Sequence, residues 1–470
     1  MTTMTPVDAQ YDLIVIGSGP AGYVAAIRAA QLGMQVAVIE QEAVGGICLN
    51  WGCIPMKALV KSAQVFDYLQ HAADFGIQVT AAQPDLCAMV QRSRAIAATM
   101  AKGIDYLFKK HNIVLLKGHG KVASPHTVTL TLSAGVTRHY CAQHIILATG
   151  GRNRLLPGFP TDGTKVMGYR EALALSTQPA TMLIIGGGAI GCEFAYFYHT
   201  IGTKVTLVER QPYLLSLEDE AISKQVYQSF TKSGMQVYTA ATVTAVDVKG
   251  ANPTVTIHTA AGEISLACDT ILSAVGIMAN VENIGLEENG ILIEQGKIVV
   301  DAYYRTSCER VYAIGDVIKG PALAHVASAE AIICVEKIAG LDPEPLDYHN
   351  IPTCTYITPE VASVGYTEKA AQEAGYSVKV GVFPFSASGK AHTAGASEGF
   401  VKVIFDAQYG EWLGAHMVGT NVAEMISEVV VARKLETTAH EIQNSVHPHP
   451  TMSEAIMEAV AAAYGGAIHI

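Results

Sequence analysis

The feature that most restricts this chain is a glycine hexapeptide set between an apolar strand and a helix, because the whole arrangement occurs twice. Residues 11–16 form a β-rich apolar run that ends at Gly17, and Gly17-Ser18-Gly19-Pro20-Ala21-Gly22 follows. Residues 21–32 then have helical composition closed by Gly33, and residues 35–40 read as the next strand. The same order returns at 182–209, where Gly186-Gly187-Gly188-Ala189-Ile190-Gly191 lies between an apolar strand and an Ala/Phe/Tyr-rich helix. Glu40 stands 18 residues beyond Gly22, and Glu209 stands 18 beyond Gly191. In such a loop the glycines permit a tight turn and close approach of a pyrophosphate to the helix N-terminus, while the acid accepts ribose hydroxyls. One hexapeptide alone is a weak signal. Two copies, each with strand, helix and acid in place, predict two dinucleotide-binding folds.

The rest of the chain reads as α/β around these folds. Helices are expected near 56–69 and 86–109, a strand at 126–132, and a buried strand over 141–150 that stops at glycine. A similar strand at 310–316 should return to the first sheet, and from 351 onward strand-like runs precede helical ones, as in an α+β terminal domain. The expected organisation is a first dinucleotide domain at 1–150, a second at 151–276, a return segment at 277–348 and a terminal domain at 349–470.

Composition limits the partners and the compartment. At 470 residues, 50% hydrophobic and 16% charged, the chain is globular and long enough for about three domains. A formal net charge of −11 with no basic run argues against nucleic acid or an anionic membrane as a partner. Residues 1–10 lack the charged and apolar regions of a signal peptide, and no apolar stretch approaches the ~20 residues a bilayer requires. A soluble, cytoplasmic protein is expected. Nine cysteines in a sparse pattern suit a compartment where thiols are reduced, so a disulfide here would be catalytic.

Two sites of one type suit a redox enzyme that carries hydride between a nicotinamide and a flavin. Glu209 would bond a 2'-hydroxyl and repel a 2'-phosphate, which favours NAD over NADP. The segment Gly45-Gly46-Ile47-Cys48-Leu49-Asn50-Trp51-Gly52-Cys53-Ile54-Pro55-Met56-Lys57 follows the first unit and opens a helix. Its C-x4-C spacing is too wide for a zinc knuckle, and no second cysteine pair lies nearby, so a redox pair is the better reading. A helix N-terminus lowers a thiol's pKa and suits Cys53 as a thiolate. His447 and His449 are not a helical i, i+4 pair and each precedes a proline, which does not suit a metal site. The cysteines at 87, 141, 192, 268, 308, 334 and 354 fall in apolar contexts and read as small core residues.

The cysteine segment is similar to the GGTCLNVGCIPSKAL signature of the pyridine-nucleotide disulfide oxidoreductases. The resemblance covers nearly the whole chain, through both glycine loops, Ala148-Thr149-Gly150, Ala313-Ile314-Gly315-Asp316, and His447-Pro448-His449-Pro450-Thr451 with Ser453-Glu454. Leu323-Ala324-His325 resembles the lipoamide branch of that family. Ile47 replaces the usual threonine and Met56 the usual serine, removing two hydroxyls that could bond flavin or backbone.

The resemblance implies that Cys48 and Cys53 form the redox disulfide, that Lys57 and Glu193 pair beside the flavin, and that Asp316 holds its ribityl chain. It places Ala324 at the start of a helix aimed at the flavin, with Gly120, Thr149 and Gly150 lining the FAD groove and Val243 and Gly276 the NAD groove. His449 is implied as base and Glu454 as its orienter. It further implies a homodimer that oxidises protein-bound dihydrolipoamide with NAD+, on lipoyl domains of acyltransferases or glycine-cleavage carrier proteins. An NADPH-dependent reductase of the glutathione type is disfavoured by Glu209 and Ala324-His325, and mercuric reductase by the absence of cysteine in residues 465–470. A non-catalytic flavoprotein scaffold would not need the cysteine pair or the His–Glu dyad.

Overall fold

The computed structural model describes residues 8–154, 156, 158–159 and 161–470. Two compact units are present. Met1–Ala58, Val90–Arg154 and Ile277–Leu346 form one, and Leu59–Met89, Leu155–Gly276 and Asp347–Ile470 form the other.

The first unit is built on a seven-stranded sheet. Ala9–Ile16 lies between Val36–Glu40 and Thr137–Leu147, parallel to both, and Val114–Lys117 extends the sheet beyond Val36–Glu40. Strands covered on both faces need continuous apolar sequence rather than alternation, and Leu13, Ile14, Val15, Ala37 and Val38 are all fully buried. Val311–Ala313 does return to this sheet, parallel to the C-terminal half of Thr137–Leu147 with Val311 opposite Ile145. The N-terminal half of the same strand instead carries Thr127–Thr131 antiparallel, which is why it begins at Thr137, ahead of the expected start at 141. The helix Pro20–Gln31 has proline at its first turn, where no backbone donor is missed, and buries Ala21, Ala25, Ala26 and Ala29. Those alanines share one core with Ala327, Ala331, Cys334 and Val335 of the helix Ala324–Ile338, and Arg28 Nη2 bonds Glu336 Oε1 at 2.5 Å on the rim of that packing.

The second unit repeats the parallel plan. Its five-stranded sheet runs Gln236–Tyr238, Lys204–Val208, Thr181–Ile185, Thr270–Ser273, Val166–Met167, beside a three-stranded antiparallel sheet over Thr242–Asp247, Thr254–Thr259 and Gly262–Ala267. A separate five-stranded antiparallel sheet, Thr353–Thr355, Glu360–Gly365, Trp412–Gly419, Phe400–Asp406 and Val378–Pro384, packs with the helices Val422–Lys434 and Glu454–Ala463. Phe405 and Trp412 stack at 5.2 Å in that core.

Two expectations need correction. The cysteine segment does not simply open one helix: Cys48 sits on a short helix of its own, Gly46–Trp51, and Gly52 separates it from the helix Cys53–Gln70. Of the remaining cysteines, 192, 268, 308 and 334 are buried, but Cys87 is exposed and Cys141 and Cys354 are half-buried. Apolar neighbours in sequence do not imply burial once a helix, as at Cys87, or a strand, as at Cys141 and Cys354, turns one residue outward. Among the described residues, no helix is long and apolar enough to cross a membrane.

Candidate active site

The two glycine loops have the same construction. Gly17 and Gly186 take φ of +105° and +109°, and a Cβ on either would lie 2.2 Å from the Ala148 carbonyl oxygen or 2.4 Å from that of Ala274. A Cβ on Gly22 or Gly191 would meet the carbonyl oxygen of Gly17 or Gly186 at 1.9 or 1.8 Å. These glycines are required by the protein's own packing. The middle ones are not: Gly188 has nothing within 4 Å of a Cβ, and Gly19 has only the Gly46 Cα at 3.9 Å. The space kept open there lies at a helix N-terminus, where backbone N–H groups face an anion. The residues present therefore fit a dinucleotide pyrophosphate at each loop.

The acids brace these loops. Glu209 accepts the Gly187 N–H on Oε2 and the Gln211 N–H on Oε1, both at 2.6 Å. Glu40 accepts the Ser18 N–H at 2.9 Å, the Ser18 hydroxyl at 2.6 Å and the Glu42 N–H at 2.7 Å. Each carboxylate retains lone pairs for ribose hydroxyls, Glu209 on both oxygens and Glu40 on Oε1, since Oε2 of Glu40 already accepts two hydrogen bonds from Ser18. Ser18, which sequence reasoning missed, is fully buried and joins the first loop to the cysteine segment. Its carbonyl and its Oγ accept the Gly45 N–H at 3.0 and 3.3 Å. Gly46 comes so close to the loop that a Cβ would lie 2.6 Å from the Gly19 Cα. The doubled glycine thus lets the cysteine segment rest directly on the first dinucleotide loop.

Cys48 and Cys53 are half-buried thiols in hydrogen-bond contact. That bond first, then burial and the charge on Cys53, push the Cys48 thiol up, while the Lys57 ammonium acts in the opposite direction. The N-terminal position of Cys53 on an 18-residue helix favours negative charge on that sulfur. Lys57 follows one turn later on the same helix.

His449 Nδ1 lies 2.8 Å from Glu454 Oε1. A carboxylate can only accept, so Nδ1 carries the proton and the neutral ring presents a bare Nε2. The other oxygen, Oε2, accepts the Thr451 N–H at 2.7 Å. Burial raises the Glu454 carboxyl, but the Thr451 N–H, the bond and charge of His449, and the charge of His447 together hold it below the usual carboxylate range. His447 Nε2 meets Glu428 Oε1 at 2.7 Å and its Nδ1 meets the Ser445 carbonyl at 3.1 Å, so this histidine anchors the segment. Among the described residues, no group of three or more His, Cys, Asp or Glu is placed to hold a metal ion.

Residues 11–331 match the pyridine nucleotide-disulphide oxidoreductase family, and residues 351–460 match the dimerisation domain of that family. The chain belongs to the pyridine nucleotide-disulphide oxidoreductases. Among curated members it is 45% identical to a dihydrolipoyl dehydrogenase of Rhizobium etli, over 97% of this chain and 98% of that protein. It is 42% identical to a dihydrolipoyl dehydrogenase of Bacillus subtilis, over 98% and 99%. Solved structures of similar fold include LpdA from Mycobacterium tuberculosis, with TM-score 0.89 and 27% identity over 95% of this chain and 98% of that one. The HOCl-induced flavoprotein disulfide reductase RclA from Escherichia coli, as its Cu(II) complex, gives 0.87 and 26% over 96% and 99%.

For this member of the pyridine nucleotide-disulphide oxidoreductases, the remaining candidate residues fall as follows. Asp316 is half-buried, and burial pushes its carboxyl up while Lys297 opposes the rise. Lys297, also missed in the sequence, donates to the Asp316 carbonyl. Ala324 is the first residue of a 15-residue helix. The Thr149 hydroxyl donates to the Asn280 carbonyl at 2.7 Å, and Gly150 and Gly276 have open space around them at φ of +69° and +105°. Gly120 differs, because a Cβ there would sit 3.0 Å from both Ile16 and Ile39, so its missing side chain serves packing within the sheet. Val243 is half-buried in the strand Thr242–Asp247. Glu193 is 5% exposed and accepts the Tyr356 N–H at 3.0 Å.

Proposed function

We propose that this chain is an FAD-containing, NAD-linked dihydrolipoyl dehydrogenase acting as a homodimer. The observation that carries the reading is the Cys48–Cys53 pair in hydrogen-bond contact at a helix N-terminus, beside Lys57 and docked on the first dinucleotide loop. Relatives named dihydrolipoyl dehydrogenase that match over nearly the whole chain support it.

The chemistry assigned to the chain's own groups is thiol exchange. His449 Nε2 takes a proton from the substrate dithiol, and the resulting thiolate attacks Cys48 of the oxidised pair. The Cys48–Cys53 bond breaks and Cys53 leaves as a thiolate. The second substrate thiol then resolves the mixed disulfide, closing the lipoamide ring and leaving Cys48 as a thiol. FAD, when bound, supplies the two-electron relay between these thiols and the nicotinamide. Over the cycle the substrate loses two electrons and two protons, NAD+ gains hydride, and one proton is released. Lys57 favours charge on the sulfur pair, and Glu454 keeps His449 in the base tautomer.

The segments 1–150 and 277–348 serve FAD, with Gly17, Gly19, Gly22, Glu40, Asp316 and Ala324 as its nearest assigned groups. Segment 151–276 serves NAD through Gly186, Gly188, Gly191 and Glu209, and 349–470 makes the dimer. The natural partners are lipoyl domains of acyltransferases or of glycine-cleavage carrier proteins, met in the cytoplasm. The deciding assay compares dihydrolipoamide plus NAD+ with glutathione disulfide plus NADPH. Faster turnover of the second pair would overturn the proposal.

A further inference from the structure

Arg94 lies on the helix Leu86–Lys110 and meets the cysteine segment at two points. Its Nη1 donates to the Asn50 carbonyl, 44 residues away in sequence, and its Cζ stands 4.1 Å from the centre of the Trp51 ring. Both partners are among the four residues between Cys48 and Cys53. The Asn50 carbonyl belongs to the last turn of the six-residue helix Gly46–Trp51, where carbonyls have no intrahelical donor. Helical geometry then fails at Gly52, with φ −143° and ψ −112°, so the helix does not continue past that carbonyl. A cation is favoured there on dipole grounds as well. Asn50, 6% exposed, ties the bridge further back by donating from Nδ2 to the Val44 and Gly46 carbonyls at 2.9 Å each.

We propose that Arg94 is a positioning residue for the redox pair, clamping the Asn50-Trp51 bridge so that the two sulfurs stay at disulfide-forming separation. This rests on the reading of Cys48 and Cys53 as the redox pair. A tighter bridge raises the effective concentration of one thiol at the other and so favours the disulfide over the dithiol. The opposing effect, a cation stabilising thiolate, belongs to Lys57, whose ammonium acts to lower the Cys48 thiol. A flat guanidinium can stack on an indole and donate in its own plane at once, which an ammonium cannot.

The test uses the holoenzyme equilibrated in dithiothreitol redox buffers, with thiols 48 and 53 counted by alkylation and mass spectrometry. Arg94→Gln should lower the equilibrium constant for the disulfide about tenfold, equivalent to about 30 mV for this two-electron couple. Arg94→Lys should recover part of the loss. Trp51→Leu keeps the Asn50 bond but loses the stack, so it should shift the equilibrium the same way by less, and it stands in if Arg94→Gln does not fold. Arg92→Gln is the control, because Arg92 donates to the Ala58 carbonyl at 2.9 Å, outside the bridge, and should stay within twofold of native. Equilibria within twofold of native for both Arg94→Gln and Trp51→Leu would overturn the inference. A native chain that forms no Cys48–Cys53 disulfide in any buffer would instead overturn the redox-pair reading, and the clamp with it.

Discussion

His449 and Glu454 form a dyad whose imidazole faces outward: Nδ1 is held 2.8 Å from the carboxylate, yet the histidine side chain is 78% exposed and that of Glu454 only 28%. A base so oriented is poised toward something outside its own chain. Replacing Glu454 with Gln should lower turnover with dihydrolipoamide by about 10²-fold, at the lower end of general-base contributions, with little change in the flavin spectrum. The Glu454 carboxyl lies below its ordinary value. A carboxyl lowered on folding contributes stability that is full above its unfolded pKa of about 4.3 and is lost as pH falls through the folded value. The stability difference between native chain and Glu454→Gln should therefore shrink as pH falls from about 5 to below about 4. Urea denaturation across that range checks it, and a difference that grows on acidification would contradict the sign.

The asymmetry of the cysteine pair predicts different spectra for the two serine variants. Cys48→Ser and Cys53→Ser should both abolish dithiol oxidation, but only Cys48→Ser leaves the thiolate at the helix N-terminus. That variant should show a long-wavelength charge-transfer band with oxidised FAD, and Cys53→Ser should not. The band appearing in Cys53→Ser alone would reverse the assignment of the two sulfurs.

The second glycine loop separates folding from binding at neighbouring positions. At Gly186 a Cβ would clash with the Ala274 carbonyl at 2.4 Å on a backbone of φ +109°, so Gly186→Ala should destabilise the chain by several kcal/mol or prevent its accumulation. Gly188 has φ −77° and nothing within 4 Å of a Cβ, so Gly188→Ala should fold with Tm within about 2 °C of native, as for substitutions away from such features. It should nevertheless raise KM for NAD+ at least tenfold. A Gly188→Ala enzyme with native KM would show that this space does not receive the nucleotide.

The contrast between these glycines marks what the sequence could disclose. Both loops, both acids, the cysteine pair and the family were legible, because each is a short pattern whose spacing is fixed by backbone geometry. Ser18 was not, because it occupies a free position of its motif and its partners Glu40 and Gly45 lie 22 and 27 residues away. The helix Gly46–Trp51 was missed because six residues bounded by glycines are too few to show a period. Arg94 and Lys297 were missed for a third reason: a lone cation in an ordinary helix or hairpin carries no signal until the fold brings Trp51 or Asp316 beneath it.

Cofactor preference is expected to follow Glu209. Its carboxylate takes two backbone N–H groups at 2.6 Å, which fixes it where a ribose would lie and where a 2'-phosphate would be repelled. NAD+ should exceed NADP+ in kcat/KM by at least 10²-fold, and Glu209→Ala should narrow the ratio by lowering the NAD+ value more than the NADP+ value. Equal kinetics with both nucleotides in the unmodified enzyme would sink the inference.

The exposed imidazole leads to the last expectation, that each active site is shared, with Cys48 and Cys53 from one protomer facing His449 and Glu454 of its partner. Residues 351–460 match a dimerisation domain, and the dyad lies within that stretch. A two-fold axis makes the loan reciprocal, since what one protomer gives its partner it also receives. Homodimers of Cys48→Ser and of His449→Gln should each be inactive. After unfolding together and reassembly, a mixed dimer has one site with both defects and one with neither, so one of its two sites works. Random pairing makes about half the dimers mixed, and activity should recover to about a quarter of native by the symmetry of the axis. If each protomer instead carried a self-contained site, every site in the mixture would keep one defect and no activity would return. Mixed dimers verified by native mass spectrometry and still inactive would reject the shared site.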